Sequence, residues 1–136
     1  MTTNNLNMKR TAILLIFLTA LVSCKKQGLS PEGPSDIRVI NLTDSDFTEL
    51  YVNTGDGEHT YGNLAAYDTT EYIRFNKAFP EAEISCKVNG VSYTSGVPDN
   101  TYAAYVGQGK FSYKVWSPSR GVLDMDIVAE APLDDK

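Results

Sequence analysis

Glu83-Ile84-Ser85-Cys86-Lys87-Val88-Asn89-Gly90-Val91-Ser92-Tyr93 is a pair of alternating runs around an Asn-Gly dipeptide. In the first run Ile84, Cys86 and Val88 fall on one face, and Ser85 and Lys87 fall on the other. That is the period of two that a pleated strand imposes. Asn and Gly both tolerate positive φ, which a two-residue type I′ turn needs at both central positions, so the stretch predicts a β-hairpin. Cys86 alternates with aliphatic residues and is expected to be a small buried hydrophobe on the inner face. A reactive thiol would need exposure and a neighbouring base or cation, and Lys87 belongs to the opposite face.

The same period extends in both directions. Lys110-Phe111-Ser112-Tyr113-Lys114-Val115-Trp116 places Phe111, Tyr113 and Val115 on one face. Leu123-Asp124-Met125-Asp126-Ile127 turns its apolar residues inward and its two carboxylates to water. Further strands are expected at Ile37–Leu42, Leu50–Val52, Glu71–Asn76 and Tyr102–Val106. Turn-rich segments separate them: Thr43–Asp46, Asn53–Gly57, Pro98–Asn100 and Ser117–Gly121. No stretch after residue 35 holds a helical period over three turns. About seven or eight short strands at roughly ten-residue intervals imply an all-β domain, an antiparallel β-sandwich or barrel.

The first residues read differently. Met8-Lys9-Arg10 is a short basic head, and Met8 fits a true start; Thr11–Ser23 then runs apolar for about a dozen residues, short of the about 20 a spanning helix needs. A helical signal peptide over 1–23 is expected, with the basic head kept in the cytoplasm. Residues 24–35, rich in Gly, Pro and Ser, suit a flexible tether. The domain is then expected over 36–129 and an acidic tail over 130–136. Removing residues 1–23 takes Lys9 and Arg10 and no acid, which moves the formal charge from −5 to −7. So acidic a domain has no electrostatic case for nucleic acid, which is bound by neutralising phosphates.

Leu21-Val22-Ser23-Cys24 closes the apolar stretch and resembles the lipobox of bacterial lipoproteins. The resemblance implies cleavage before Cys24, a thioether-linked diacylglycerol on its sulfur and a third acyl chain on its new amino group. Several chains make a stable anchor where one is marginal. Lys25 replaces the aspartate that favours inner-membrane retention in enteric bacteria, and no acidic run of the kind found in surface-exported Bacteroidota lipoproteins comes after it. The resemblance therefore implies the outer membrane, its periplasmic face ahead of the cell surface. Ile37–Thr43, Tyr61-Gly62-Asn63-Leu64 with Tyr72, and Gly109–Tyr113 are similar to small Bacteroidota lipoproteins with an immunoglobulin-like or transthyretin-like sandwich. That likeness implies the fold and assigns no activity.

The residues that carry chemistry are sparse. The single histidine, His59, is expected in an exposed loop, and zinc needs three or four ligands. The stretch around Asp56-Gly57 fails an EF-hand register, which would put Val52 first and Asn63 last. Asp44, Asp46 and Glu49 are a weaker calcium candidate, set against a solvated turn whose carboxylates cap backbone amides. Asp124 and Asp126 lie about 7 Å apart on one strand face, an ordinary wet face as much as a carboxylate pair. Asp68-Thr69-Thr70 resembles a short glycosylation motif of Bacteroidota exported proteins, with a strand-entry turn as the alternative.

Eight tyrosines and Trp116 remain. Strands favour aromatics for packing, so core and rim positions are expected for them, and Trp116 is expected in the core. The other reading makes Trp116 and exposed tyrosines a platform for sugar rings or a protein partner. No motif implies an enzyme or a cofactor. The sequence points to a non-catalytic, lipid-anchored binding or scaffolding module of the cell envelope, accessory to an outer-membrane complex or adhesion system. A glycan-binding module of a carbohydrate-uptake system is the alternative. The expected partners are the membrane, through lipid on Cys24, and an envelope protein or glycan.

Overall fold

A computed structural model of the chain describes residues 30–133, so Cys24, the signal peptide and the end of the tail lie outside the described residues. Among the described residues there are eight strands and no helix. They are β1 (Ser35–Asn41), β2 (Phe47–Asn53), β3 (Glu58–Leu64), β4 (Ile73–Phe75), β5 (Glu83–Val88), β6 (Val91–Thr94), β7 (Gly109–Ser119) and β8 (Val122–Ala131). All form one sheet in the order β3-β2-β5-β6-β8-β7-β1-β4.

The hairpin expected around Asn89-Gly90 is present. Val88 pairs with Val91, and Asn89 and Gly90 sit at φ +50° and +78°, as the type I′ turn requires. A second tight turn, Arg120-Gly121, joins β7 to β8, where Ser119 pairs with Val122. The register slips between Trp116 and Ser119, around Pro118, which has no N–H to give the ladder.

The expectation of a purely antiparallel sheet is corrected. β1 runs parallel to β7 from Ser35↔Gly109 to Asn41↔Val115, and β6 meets β8 in parallel at the single pair Thr94↔Val122. Side-chain alternation reports which face is buried and carries no information on the direction of the partner strand. Two strand assignments also change. The stretch 56–60 around His59, read as loop, runs into the edge strand β3 from Glu58 onward, with His59 opposite Val52. Tyr102–Val106, read as a strand, is irregular; Tyr105 stacks on Phe79 at 4.5 Å between ring centroids, and Val106 N–H donates to the Ala78 carbonyl.

The sheet curls until its edges approach one another. One apolar core draws Ile37 and Val39 from β1, Leu50 and Val52 from β2, Ile84 from β5, and Tyr113 and Val115 from β7, all fully buried. At the seam, Tyr61 of β3 reaches across and donates its hydroxyl to the Ile37 carbonyl of β1 at 2.8 Å. Tyr61 thereby satisfies an acceptor on β1 from the facing edge.

The ends of the domain are tied down further out than composition suggests. Ser35, placed at the end of the tether, is the first residue of β1 and donates its hydroxyl to the Gly107 carbonyl at 2.6 Å. Gln108 donates to the Ser30 carbonyl at 2.6 Å, Lys77 pairs with Glu32, and Gly33 has no room for a Cβ against the Asn76 carbonyl. At the other terminus β8 continues to Ala131. Glu130 accepts from the buried Ser112 hydroxyl at 2.7 Å and pairs with Arg38, so it belongs to the sheet.

Candidate functional site

The β1–β2, β3–β4, β5–β6 and β7–β8 connections gather at one end of the sheet, because β1, β3, β5 and β7 all finish there. The first two are locked together by Asn41, which is fully buried. Its side-chain amide donates to the Ser45 carbonyl at 2.8 Å and the Ala65 carbonyl at 3.1 Å, while its Oδ1 accepts from the Thr43 N–H and hydroxyl. Asp46 adds a bond from the Ala66 N–H at 2.9 Å.

Between these loops and the β7–β8 hairpin lies a cavity of about 340 Å³. It lies where the β7–β8 turn meets β6, next to the single β6–β8 pair Thr94↔Val122. Val88 and Tyr93 provide its apolar surface over the fully buried Phe47, and Asp44 and Arg120 line it from separate turns. Sequence reasoning did not single out any of these as a group, since five elements contribute them.

Trp116 lies beside this mouth and is not in the core. Val115 pairs with Asn41 and both point inward; the Leu42 N–H then donates to the Val115 carbonyl at 2.8 Å, which makes Leu42 and Trp116 neighbours on the outer face. Leu42 is 45% exposed and Trp116 36%, with Asp124 directly opposite Trp116 on β8. The expectation of a core tryptophan is therefore corrected. Once Tyr113 and Val115 face inward, the period of two turns Trp116 outward.

The tyrosines divide by role. Tyr113 is fully buried and donates to the Phe79 carbonyl; Tyr72 lies under the Arg38 guanidinium at 4.8 Å and near Lys110 at 5.4 Å. Tyr67 and Tyr102 are 71% and 98% exposed. Burial pushes the hydroxyls of Tyr61 and Tyr113 well above the ordinary phenol range.

The other sequence candidates are occupied structurally. His59 packs edge-on against Tyr61 at 4.7 Å. Asp44 accepts from the Ser45 hydroxyl, Asp46 caps Ala66, and Glu49 pairs with Lys87 at 2.7 Å. These three carboxylates thus serve separate partners, and no group of three metal-ligating side chains occurs among the described residues. Asp68 accepts from the Thr69 N–H, Thr70 Oγ1 accepts from the Val39 N–H at 2.9 Å, and Thr69 forms an isolated bridge with Ile40 ahead of β4. Asp124 and Asp126 are exposed on β8 opposite Trp116 and Lys114.

Cys86 is buried, as its alternation implied, and burial pushes its thiol up to about 11. A thiol reagent should therefore label the folded chain slowly at pH 8 and rapidly after denaturation; equal rates would contradict the burial. The raised value also fixes a sign. Only the thiol form is at home in the fold, so this stabilisation is complete below about pH 9 and is lost between about 9 and 11, by about 2–3 kcal/mol at most. Cys86→Ala should remove that share of the alkaline loss, at a neutral-pH cost of about 1–2 kcal/mol.

No family model matches the chain, and no curated protein does. Among solved structures the chain is similar to the NMR structure of a protein from Eubacterium rectale, at 14% identity over 76% of this chain and 94% of that one, with a TM-score of 0.47.

Proposed function

We propose that the chain is a non-catalytic binding module of the cell envelope, held at the outer membrane by lipid on Cys24 and accessory to an envelope complex or adhesion system. Its scaffold is a two-layered one of immunoglobulin-like or transthyretin-like kind, β3-β2-β5-β6 facing β4-β1-β7-β8, hinged where Thr94 meets Val122. The observation that carries the reading is the exposed Leu42–Trp116 pair, each residue next in the chain to one that lines the loop-end cavity, Thr43 and Ser117. Loops held on a rigid sheet are where binding residues concentrate, and exposed large apolar side chains at such a place favour contact with a partner. Buried networks such as Asn41 and its four bonds hold that end in shape before any ligand arrives.

A glycan is the second reading, favoured by one observation: Trp116 is outward with the Asp124 carboxylate across from it. An aromatic face beside a hydrogen-bond acceptor suits the apolar face and hydroxyls of a sugar ring. Trp116 fluorescence titrated with a polysaccharide panel and with envelope extracts tests both readings. Trp116→Ala should abolish the binding observed at a stability cost below the about 3–5 kcal/mol of a core aromatic, since 36% of the residue's surface stays exposed. A response to polysaccharides selects the glycan; a response to envelope protein alone selects the interaction module. Binding that survives the substitution would remove Trp116 from the site.

The anchor has its own test. Cys24→Ala should abolish labelling by a fatty-acid probe and release the protein from membranes, because lipid is the only membrane-holding device proposed for the mature chain. Unchanged retention and labelling would overturn the lipoprotein reading.

A further inference from the structure

The loop-end cavity has a chemical signature more specific than a general binding surface, and assigning it an occupant rests on that end being a binding site. At about 340 Å³ it lies near the lower limit of small-molecule pockets, so its occupant is small. Its apolar part is formed by the partly exposed Val88 and Tyr93, with the fully buried Phe47 behind them, which offers a face for a hydrocarbon or aromatic group.

The charges at its rim are two and opposite. Arg120, on the β7–β8 turn, is exposed and makes no ion pair among the described residues, whereas Arg38 and Arg74 are both paired. Asp44, on the β1–β2 turn, uses one carboxylate oxygen to accept from the Ser45 hydroxyl, and its other oxygen has no protein partner among the described residues. The two residues line one cavity and form no salt bridge with each other.

The hydroxyls around the mouth are mostly committed to the protein. Thr43 donates to Asn41 Oδ1 at 2.7 Å, Ser45 to Asp44, and Ser117 to backbone carbonyls of its own hairpin at 2.9 Å. A neutral sugar, which is held by many hydrogen bonds, finds few free partners in this cavity. A polyanion meets a domain of formal charge −7 from Cys24 onward. What remains complementary is a molecule with one anionic group, one cationic group and an apolar body.

We infer that the cavity binds a zwitterionic α-amino acid with an apolar side chain. Its carboxylate is taken by the Arg120 guanidinium, whose fork matches a carboxylate in bidentate fashion. Its ammonium is taken by Asp44, and its side chain lies against Val88 and Tyr93. No covalent step is involved.

Calorimetric titration of the full chain with L-phenylalanine and L-leucine tests this, with N-acetyl-phenylalanine, phenylalanine amide, glucuronate and galactose as comparisons. Saturable binding of the two amino acids is expected. Blocking either charged group of phenylalanine should weaken it by about tenfold or more, the loss of one charge-assisted bond. Arg120→Gln and Asp44→Asn should each weaken phenylalanine to the same extent while leaving the thermal midpoint unchanged, since neither side chain is buried. No saturable binding of either amino acid, equal binding of the blocked derivatives, or preferential binding of glucuronate or galactose would overturn the inference. Polysaccharide or partner binding that depends on Trp116, in a chain that binds no amino acid, would reject this inference alone; absence of both rejects the binding reading as well.

Discussion

Tyr113→Ala is expected to lower the stability of the domain by about 3–5 kcal/mol, which for a chain of this size is a large share of the total. The ring is fully buried in β7, which lies between β1 and β8 in the sheet, and pairs across to Val39. Alanine there leaves a cavity that the flanking ladders prevent from collapsing. A second loss adds to the first. The Tyr113 hydroxyl donates to the Phe79 carbonyl at 2.6 Å and so fastens the β4–β5 connection to the core. Tyr113→Phe separates the two effects: it keeps the packing and should cost about 1–2 kcal/mol, the consequence of one buried acceptor left unpaired. The phenol is also held protonated well above its usual range by burial, so its stabilisation is complete below about pH 10 and is lost at more alkaline pH. Tyr113→Phe should therefore be relatively less damaging as the pH rises. Urea titrations of the three chains at pH 7 and pH 10.5 check both parts. An alanine variant as stable as the phenylalanine one would mean that the ring does not pack as described.

How much of this fold is legible in the sequence depends on which physical signal each element carries. The β5–β6 hairpin and the inward set Leu123, Met125 and Ile127 come directly from a period of two and from the backbone demands of an Asn-Gly turn. Strand β3 carries neither signal. Glu58-His59-Thr60-Tyr61-Gly62-Asn63 is a polar edge strand, formed because β2 needs a partner on that side and because Tyr61 reaches β1. Tyr102–Val106 has the opposite character: its apolar content suits a strand, yet Tyr105 gains more by stacking on Phe79 under Lys77. The parallel β1–β7 ladder joins residues more than 70 positions apart, and no local pattern encodes that. Trp116 is instructive in another way. Residue type argued for the core, while the alternation of Tyr113 and Val115 argued for the outer face, and alternation is the stronger constraint because a strand cannot turn one residue without turning its neighbours. The mouth was out of reach for a simpler reason. Phe47, Val88, Tyr93 and Arg120 come from four segments, and only the folded sheet brings them around one cavity.

Asn41→Ala should cost about 2–4 kcal/mol and should damage the loop end more than the core. Asparagine is an unusual choice for a fully buried strand terminus, and it is tolerated here because its amide is completely used. Its Nδ2 donates to Ser45 and Ala65, and its Oδ1 accepts from the backbone and hydroxyl of Thr43. Alanine orphans those groups at once, each worth about 1–3 kcal/mol if kept from water, with water entering the opened loop to recover part of the loss. Asn41→Asp is the sharper probe. It keeps the shape and the acceptor but turns a carboxylate oxygen toward two carbonyls that had received N–H donors. The charged form is opposed by those carbonyls and by burial, so the carboxyl should titrate well above the usual aspartate range. A raised value makes the variant least harmful when protonated at low pH and progressively worse as the pH rises through it. Hydrogen exchange locates the effect: the Thr43 and Tyr67 amides, which bond within the paired loops, should lose protection, while amides of β7 beside β8 should track global unfolding only. If Asn41→Asp matched the parent chain at neutral pH, the amide donors to Ser45 and Ala65 would not be what joins these loops. The preformed shape of the binding end would then need another source.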